Sequence, residues 1–355
     1  MSRLQWGIIG TGEIARTFVE AIPSCRTARI VSVGSRAQRS ADAFVAAQTP
    51  GQNVRAHGSY DALLADPDVQ AVYVSTPHPQ HEEWAIKAAK ARKHVLCEKP
   101  IGLNARQAAA MIDAARDNGV FLMEAFMYRC HPQTARIVEL IRSNAIGQVR
   151  LIQAAFGFCA PFNPDSRLFC NALAGGGILD VGCYPVSFSR LIAGVALGRD
   201  FADPIEVKGA AHLGQTGIDE YATAVLRFEG DILATVASAV RLEQDNTARI
   251  FGTEGHIFVP KPWVPAREGG TAEIILHHKG ESPQTIAIEA ERHLYAYEID
   301  MVADGVERFR TAAKGDPMRG QATSPAMTWD DTLGNIRTLD AWRASIGLLY
   351  DAERA

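Results

Sequence analysis

The sequence predicts an α/β protein in which a doubly wound parallel sheet is followed by an α+β domain with a large, mostly antiparallel open sheet. Three observations lead to this prediction. A glycine-rich G-x-G-x-x-A segment directly follows the first apolar strand, and strands then alternate with helices as far as Glu124. Beyond Glu124, apolar runs of strand length are joined by short turns. We therefore expect two domains, at residues 1–124 and 125–355.

Composition and charge restrict the classes of function. The 355 residues are 47% hydrophobic, and 36 basic against 40 acidic side chains give a net charge of −4. Such a balanced surface offers no basic footprint for nucleic acid or for an anionic membrane. The N-terminus runs directly into a strand without room for a signal peptide, and no apolar run reaches the ~18 residues of a membrane span. We expect a cytoplasmic protein, and no bound metal, because the six cysteines form no C-x-x-C pair.

The first element, Leu4–Ile9, is predicted to be a buried strand, and the glycine-rich segment follows it at once. The first glycine of this pattern permits a tight turn, and the second lets backbone amides approach a pyrophosphate. The small third residue, Ala15, allows the next helix to pack closely on the strand, and the helix N-terminus favours phosphate charge. We expect five consecutive residues to contact a dinucleotide: Gly10, Thr11, Gly12, Glu13 and Ile14.

The end of the second strand indicates which dinucleotide is preferred. The strand at Arg29–Gly34 is followed by Ser35 and Arg36, where an acidic residue would bind the ribose 2′-hydroxyl of NAD. A hydroxyl and a guanidinium suit the additional phosphate of NADP instead. The alternative is that both residues only form the solvated start of the next helix. We predict NADP as the cofactor, with NAD also possible.

A second cofactor segment follows the strand at Val69–Val74. Thr76 and Pro77 leave the carboxyl end of this strand, where ligands bind in open α/β sheets, and His81 lies four residues further on. We expect all three to contact the cofactor. The alternative for His81 is a role at the entry to the following helix.

The stretch His94–Pro100 is the centre of the predicted site. A short apolar strand ends there in Glu98, Lys99 and Pro100, so the Lys99 side chain can reach solvent or a ligand. Taken alone, Lys99 is more typical of a surface lysine after a strand. Together with the glycine-rich segment, it indicates a nicotinamide site in which Glu98 and Lys99 contact the cofactor.

The remaining elements follow from hydrophobic periodicity and turn residues. In the first domain we expect helices around Ala41–Phe44 and at Ser59–Leu64, Glu82–Ala91 and Ala105–Asn118, and a strand at Val120–Glu124. In the second domain we expect helices at Pro132–Asn144, Gly182–Ala193, Leu294–Ala312 and Met327–Ile346. Its strands are expected at Val149–Phe158, Ile205–Leu213, Tyr221–Phe228, Ile232–Val240, Ala248–Val259 and Ala272–His278. One face of so broad a sheet needs cover, which predicts a homodimer or homotetramer.

A second glycine-rich stretch, Gly175–Pro185, supplies the other candidate catalytic groups. Asp180 and Tyr184 stand four residues apart on one face of a predicted helix start, where a carboxylate and a phenol could bind a hydroxyl and exchange its proton. The alternative is a helix-start anion and a core aromatic residue. Arg129 and Arg167 are candidate substrate contacts, and the alternative for each is a structural ion pair.

The combination of these motifs resembles one enzyme family. The G-x-G-x-x-A segment, Thr76-Pro77 with His81, Cys97-Glu98-Lys99-Pro100 and Gly-Gly-Gly-Ile-Leu-Asp-Val-Gly-x-Tyr are similar to the glucose–fructose oxidoreductase, inositol dehydrogenase and MocA (Gfo/Idh/MocA) family over nearly the whole chain. The resemblance implies an N-terminal Rossmann domain, a C-terminal domain whose open sheet often makes subunit contacts, and a nicotinamide ring near Lys99. Tyrosine at position 184 resembles the branch that includes glucose–fructose oxidoreductase, dimeric dihydrodiol dehydrogenase and NADP xylose dehydrogenase.

These features predict an NADP-dependent oxidoreductase acting on a small-molecule sugar, polyol or cyclic diol. Tyr184 is the candidate proton-transfer group, and the Lys99 ammonium would stabilise its phenolate, since a free phenol with a pKa of ~10 is a poor base. Asp180 is expected to hold Lys99 or a substrate hydroxyl. Two alternatives remain open: NAD-dependent, redox-assisted glycoside cleavage, and a non-catalytic NADP-sensing protein.

Overall fold

The computed structural model describes residues 3–313, 315–316 and 318–354, and the chain packs into two compact units. The first contains the described residues up to Gly102, together with Arg106–Met127 and Arg292–Trp329. The second contains Leu103–Ala105, Tyr128–Glu291 and the described residues from Asp330 onward. Both units are discontinuous in sequence, and the single domain boundary after Glu124 stays a prediction.

The first unit contains a parallel sheet. Its strands are β1 Leu4–Ile9, β2 Ala28–Gly34, β3 Arg55–His57, β4 Ala71–Val74, β5 His94–Glu98 and β6 Leu122–Ala125. Their order is β3-β2-β1-β4-β5-β6, and every pair is parallel. The predicted doubly wound sheet is confirmed. The strand order reverses between β1 and β4, because β2 and β3 lie on one side of this point and β5 and β6 on the other. Such sheets bind ligands at the carboxyl ends of the strands at this point.

The helices lie close to where the sequence predicts them. They are α1 Glu13–Ala21, α2 Gln38–Gln48, α3 Tyr60–Leu64, α4 His81–Lys90, α5 Ala105–Asn118, α6 Pro132–Arg142, α7 Cys183–Ala196, α8 Leu294–Thr311 and α9 Trp329–Ser345. Single 3₁₀ turns occur at Ile22–Ser24, His78–Gln80, Met127–Cys130, Asn171–Leu173 and Asp351–Glu353. Gly119, at φ +60°, follows α5 as the predicted C-terminal cap.

The second unit is built on an open mixed sheet. Its strands are β7 Val149–Gly157, β8 Glu206–Leu213, β9 Asp219–Arg227, β10 Leu233–Ala239, β11 Ala248–Gly252, β12 Gly255–Val259, β13 Gly270–His278 and β14 Gln284–Ala290. Their order is β14-β13-β12-β11-β7-β10-β9-β8, and all pairs except β7 with β10 are antiparallel. The run predicted at Ala248–Val259 is a hairpin of two strands.

Helix α7 forms the core of the second unit and packs against β7. Among the described residues, the stretch Asn171–Ala196 that contains it is long and apolar enough to cross a membrane by length and composition alone, although no such run was expected. The apolar window within this stretch is 100% buried inside the protein, as in a core helix. The N-terminal end of α7 carries the candidate catalytic tyrosine.

Candidate active site

The glycine-rich loop after β1 has two glycines with different physical roles. Gly10 has φ +111°, and a Cβ atom on it would lie 2.9 Å from the carbonyl oxygen of Ser75. Gly12 has φ −81° and ψ −175°, which any residue adopts, and a Cβ atom on it would have no atom of the described residues within 4 Å. Protein packing therefore requires a glycine at position 10 but not at position 12. The space beside Gly12 is of the kind that a pyrophosphate approaching the backbone would need.

The N-terminus of α1 offers backbone amides that can bind an anion. Gly12 is its N-cap, and no side chain there caps the first amides of the helix. Such uncapped amides and the helix dipole together favour phosphate. Glu13 is exposed and pairs with Arg16 at 3.2 Å, and Ile14 is half-buried. The two predicted contacts therefore lie at the helix start as expected.

The predicted NADP residues lie at the end of β2. Ser35 is buried, and its Oγ lies 3.2 Å from Oγ1 of Thr11. Arg36 is exposed, as is Arg39 in the first turn of α2, which the sequence reasoning did not single out. The start of α2 also lacks a side-chain cap. The hydroxyl of Ser35 and the exposed guanidinium groups of Arg36 and Arg39 thus lie where this fold binds the 2′ position of the adenosine ribose.

His81 joins two loops at the carboxyl edge of the parallel sheet. Its ring is fully buried, with Nε2 2.8 Å from the carbonyl oxygen of Thr76 and Nδ1 2.9 Å from that of Pro100. Both acceptors are carbonyl oxygens, so an imidazolium donates to both whereas a neutral ring donates to one. His81 therefore supports the segments that carry Thr76 and Lys99.

Glu98 is the buried last residue of β5, and Lys99, which follows the strand, is half-buried. The hydroxyl of Tyr73 donates to Oε1 of Glu98, and the backbone N–H of Lys99 donates to its Oε2 at 3.2 Å. On the far side of Pro100, the backbone N–H of Ile101 donates to Oε1 of Glu124 at 2.9 Å. Carboxylates on β5 and β6 therefore hold the backbone on both sides of the Lys99-Pro100 pair.

These features fit a dinucleotide. Gly12 leaves room that protein atoms do not use, and the first turn of α1 offers amides. Oγ1 of Thr76 is buried and has no hydrogen-bond partner in the part of the chain that the structure describes. A buried orphan hydroxyl at the carboxyl edge of the sheet is what a missing polar ligand would satisfy.

In the second unit, the candidate catalytic segment differs from the predicted α-helix start. Residues Ile178–Gly182 form a wide π-helical turn, and α7 begins only at Cys183. The glycines of this stretch permit close packing: a Cβ atom on Gly182 would lie 3.1 Å from Oγ of Ser238 and 3.1 Å from the ring of Trp342. Single π turns of this kind are frequent at functional sites.

Asp180 lies within this wide turn and is 5% exposed. Its Oδ1 accepts a hydrogen bond from Nη1 of Arg167 at 2.9 Å, and the Arg167 side chain is 51% exposed. The structure thus joins two predicted site residues, whose relation the sequence did not predict. Arg167 holds the carboxylate on one side and remains accessible to solvent on the other.

Tyr184 lies in an aromatic cluster. It is 4% exposed, and its ring centroid is 5.8 Å from that of Tyr128, 5.2 Å from Phe156 and 6.0 Å from Trp263. Burial raises the pKa of Tyr128 to about 12, and this phenol donates to Oγ of Ser187 at 3.0 Å. The neighbour of Tyr184 is therefore a phenol that stays protonated. The sequence reasoning missed this cluster because its members are far apart along the chain.

For Arg129 the contacts favour the ion-pair alternative. Its guanidinium is fully buried and donates to Oδ2 of Asp331 at 2.6 Å and to Oγ of Ser187 at 2.8 Å. Asp331 also accepts from Arg190, which is equally buried. A buried arginine enclosed by these partners is a structural element of the second unit, and its predicted substrate contact has no support in this geometry.

The candidate residues thus fall on both units, with Lys99 and the cofactor residues in the first and Asp180, Tyr184, Arg129 and Arg167 in the second. Within the described ranges, no group of three or more His, Cys, Asp or Glu side chains is placed to hold a metal ion.

Comparison with protein families gives two matches that together cover most of the chain. Residues 4–126 match the model described as the oxidoreductase family with an NAD-binding Rossmann fold. Residues 134–258 match the model of the GFO/IDH/MocA C-terminal domain.

Relatives and solved structures agree with these matches. An uncharacterized oxidoreductase of Rhizobium meliloti, ORF334, is 34% identical over 351 residues, or 97% of each chain. Trans-1,2-dihydrobenzene-1,2-diol dehydrogenase of Danio rerio is 36% identical over 265 residues, covering 74% of this chain and 76% of the relative. The 3-ketoreductase KijD10 of Actinomadura kijaniata, solved with NADP and TDP-benzene, has a TM-score of 0.82 at 24% identity and covers 97% of this chain and 98% of its own. That last likeness concerns the fold.

Proposed function

Because this chain belongs to the Gfo/Idh/MocA family of oxidoreductases, with its NAD-binding Rossmann fold and its own C-terminal domain, we propose that it oxidises or reduces a carbon bearing a hydroxyl or carbonyl group in a sugar, polyol or cyclic diol. The observation that carries the proposal is the position of Tyr184. Its phenol lies directly after a wide turn that carries the buried carboxylate of Asp180, in an aromatic cluster that excludes water.

The first unit supplies the cofactor residues of this proposal. When bound, a nicotinamide dinucleotide supplies hydride transfer to or from carbon. Gly10, Thr11, Gly12, Glu13 and Ile14 would hold its phosphates, and Thr76, Pro77, His81, Glu98 and Lys99 would form the part of the site around the nicotinamide.

Tyr184 is assigned to proton transfer. In the oxidative direction its phenolate oxygen accepts the proton of the substrate hydroxyl, and in the reductive direction its phenol returns that proton. We assign to the Lys99 ammonium the stabilisation of negative charge on the phenolate and on a developing alkoxide. Because Tyr128 stays protonated beside Tyr184, it can donate but not compete as the base.

Asp180 and Arg167 are assigned to substrate hydroxyl binding. Oδ1 of the carboxylate accepts a hydrogen bond from Nη1 of Arg167 at 2.9 Å, and the Arg167 side chain is 51% exposed. A carboxylate next to a guanidinium provides acceptors and donors for two neighbouring hydroxyl groups. The relatives named trans-dihydrodiol dehydrogenase, at 32–36% identity, support a vicinal diol as the substrate class.

The end of β2 supports NADP as the preferred cofactor. Arg36 is an exposed cation beside a buried, hydrogen-bonded Ser35. An NAD-binding protein would have an acidic residue here to accept a hydrogen bond from the ribose, whereas these two side chains carry hydrogen-bond donors. NAD remains a possible second cofactor. Discrimination between the two would come from the guanidinium contact with the 2′-phosphate.

The outer face of the open sheet supports a homodimer or homotetramer. Val225, Leu233 and Tyr221 on β9 and β10 are 46%, 42% and 39% exposed, which places apolar side chains on a face turned to solvent. A second copy of this chain would cover them. Sedimentation should give the mass of an oligomer, and a strictly monomeric mass would contradict this part. A cytoplasmic location stays a prediction for fractionation of the native host.

The test of the proposed function is NADP⁺ reduction with a panel of aldoses, inositols and trans-dihydrodiols. At least one compound should be oxidised with net formation of NADPH, and Tyr184→Phe should fail on it. Tight NADPH binding without turnover of any compound would contradict the proposed dehydrogenase, and cleavage of a glycoside without net NADPH formation would replace it.

A further inference from the structure

The buried carboxyl of Asp219 is hydrogen-bonded to the start of the wide turn Ile178–Gly182. Asp219 is the first residue of β9, has 0% exposure, and its Oδ2 accepts a hydrogen bond from the backbone N–H of Ile178 at 2.6 Å. The backbone amide of Gly177 also favours a negative charge on this carboxyl, because it lowers the pKa of Asp219. These amides begin the turn that carries Asp180 and ends one residue before α7. The carboxyl of Asp219 therefore fixes the start of the segment that presents the proposed catalytic groups.

The carboxyl of Asp219 leaves room only for glycine at position 176. Gly176 has φ +110°, and a Cβ atom on it would lie 2.1 Å from Oδ1 of Asp219. No side chain fits in that space. The backbone at Gly176 therefore approaches a buried carboxyl group.

The surroundings of Asp219 give it little compensation for a negative charge. Within the described residues, its Oδ1 has no hydrogen-bond partner, and neither has the hydroxyl of Tyr350, whose pKa is raised by burial and by the charge of Asp219. The cation that faces it, Arg343 on α9, is already paired with Glu353 at the C-terminal turn and with Asp340. Burial raises the pKa of Asp219 to about 7, although the backbone amides and Arg343 oppose that rise.

The other charged groups near Asp219 are either engaged or on its own strand. Asp180 acts on Tyr350 from the wide turn and is itself held by Arg167. Glu220, the next residue on β9, lies 3.9 Å from His212 of β8. Asp219 is therefore the acid of this cluster that is both fully buried and bonded to the turn.

We propose that Asp219 is a positioning residue whose ionised carboxylate holds the turn carrying Asp180 and leading to Tyr184, so that protonation of Asp219 switches the site to a less active form. The proposal rests on the proposed function of Tyr184. A carboxylate accepts from backbone amides about twice as strongly as a neutral acid does, so loss of its charge loosens the turn. Loose positioning of a reacting group reduces turnover.

Ionisation of Asp219 should change activity and stability in opposite directions. The pKa of Asp219 in the folded protein lies above its ordinary value of 3.8, so the free energy of unfolding falls as pH rises from about 4 to about 7. Activity is expected to rise over the upper part of the same interval. A residue with a merely structural role would change both quantities in the same direction.

The kinetic test uses Asp219→Asn, which has the same size and no charge. Wild-type kcat should increase through an inflection near pH 7. The variant should lack this inflection and have a kcat roughly 10- to 100-fold lower at pH 8.5. Its thermal unfolding temperature at pH 8.5 should equal or exceed that of the wild type. Glu220→Gln is the matched control and should keep the inflection. Retention of the inflection in Asp219→Asn, or a parallel fall of stability and activity, would overturn the proposal.

A second measurement does not depend on turnover. In protein labelled with ¹⁵N-isoleucine, the amide resonance of Ile178 should titrate with a midpoint near pH 7, because its N–H donates to Asp219. Glu220→Gln should leave this titration in place. An Ile178 amide that does not titrate between pH 5.5 and 8.5 contradicts the positioning role. If the amide titrates but no substrate of the panel is oxidised, the anchor stands and the proposed function fails.

Discussion

Oγ1 of Thr11 and Oγ of Ser35 lie 3.2 Å apart, which joins the glycine-rich loop after β1 to the end of β2. Either hydroxyl can be the donor of this hydrogen bond. The contact fixes the relation between the loop proposed for the pyrophosphate and the residues proposed for the adenosine 2′-phosphate. Ser35 is already engaged by this contact, so discrimination between NADP and NAD should depend mainly on the exposed Arg36.

The substitution Arg36→Ala should therefore weaken binding of NADPH about 10- to 100-fold and leave NADH nearly unchanged, since it removes one charge-assisted contact with the phosphate. Fluorescence titration with both cofactors measures this directly. Arg106→Ala, which alters an exposed arginine on α5, is the control and should change neither affinity. Equal weakening of both cofactors would contradict the role of Arg36 in NADP preference.

The two loop glycines should respond differently to alanine. Gly12→Ala adds a methyl group with no atom of the described residues within 4 Å, so stability should fall by less than about 1 kcal/mol. Cofactor binding should weaken roughly tenfold or more, because the methyl group displaces the pyrophosphate. Calorimetric binding and thermal unfolding measure both effects.

Gly10→Ala is the matched comparison. Its φ of +111° and the nearby Ser75 carbonyl make the added methyl group strain the backbone, so this variant should lose about 1–3 kcal/mol of stability. Normal cofactor affinity in Gly12→Ala would show that the space beside Gly12 does not receive the pyrophosphate.

Removal of the Tyr184 hydroxyl tests the assignment of the proton-transfer group. Tyr184→Phe should lower kcat by roughly 10²- to 10⁴-fold and leave the affinity for NADPH unchanged, because Tyr184 belongs to the second unit and the proposed cofactor residues to the first. Tyr128→Phe is the control: it removes a neighbouring hydroxyl that stays protonated and should have a smaller effect on kcat. Turnover near the wild-type level in Tyr184→Phe would move the proton-transfer role to another group.

The sequence predicted the parallel sheet well because its strands are short apolar runs with helices between them, and local periodicity is sufficient for that pattern. The strands β3 and β14 were missed. β3 has three residues, two of them basic, and β14 is an edge strand whose residues are mostly exposed, so neither has an apolar run to mark it.

The residues of the candidate site could be predicted only where they belong to a local sequence motif. Gly12 and Lys99 belong to such motifs. By contrast, the bond between Arg129 and Asp331 joins residues 202 positions apart, and the π-helical turn Ile178–Gly182 is bonded at its first residue to Asp219, 41 positions after Ile178. No spacing rule reports contacts of this kind, because the partners meet only after the sheet has formed.

Glu298 on α8 has no local signal either, and it gives a prediction about the dependence of stability on pH. Its carboxyl is 0% exposed, and neither oxygen has a hydrogen-bond partner among the described residues. Burial, and then the charge of Glu98, raise its pKa well above the ordinary value of 4.5. Glu98 accepts a hydrogen bond from the hydroxyl of Tyr73. Tyr73 and Tyr295 belong to the same cluster of titratable side chains, and as phenols they supply no positive charge that could offset an ionised Glu298.

The folded protein therefore holds a proton on Glu298 that the unfolded chain releases near its ordinary pKa. Since the folded state binds more protons above that pKa, the free energy of unfolding falls as pH rises, until the folded protein also loses this proton. Glu298→Gln removes the titration and keeps the shape. Its stability relative to the wild type should therefore increase in urea unfolding experiments as pH rises above the ordinary pKa of 4.5.

Glu298→Ala separates charge from packing. It leaves a cavity and should cost about 2–5 kcal/mol at pH 5, where the wild-type carboxyl is neutral, and less at pH 9. Glu307→Gln, a change at an exposed position of the same helix, should show no such trend with pH. A constant difference between wild type and Glu298→Gln across this range would mean that Glu298 is not a protonated acid in the folded protein.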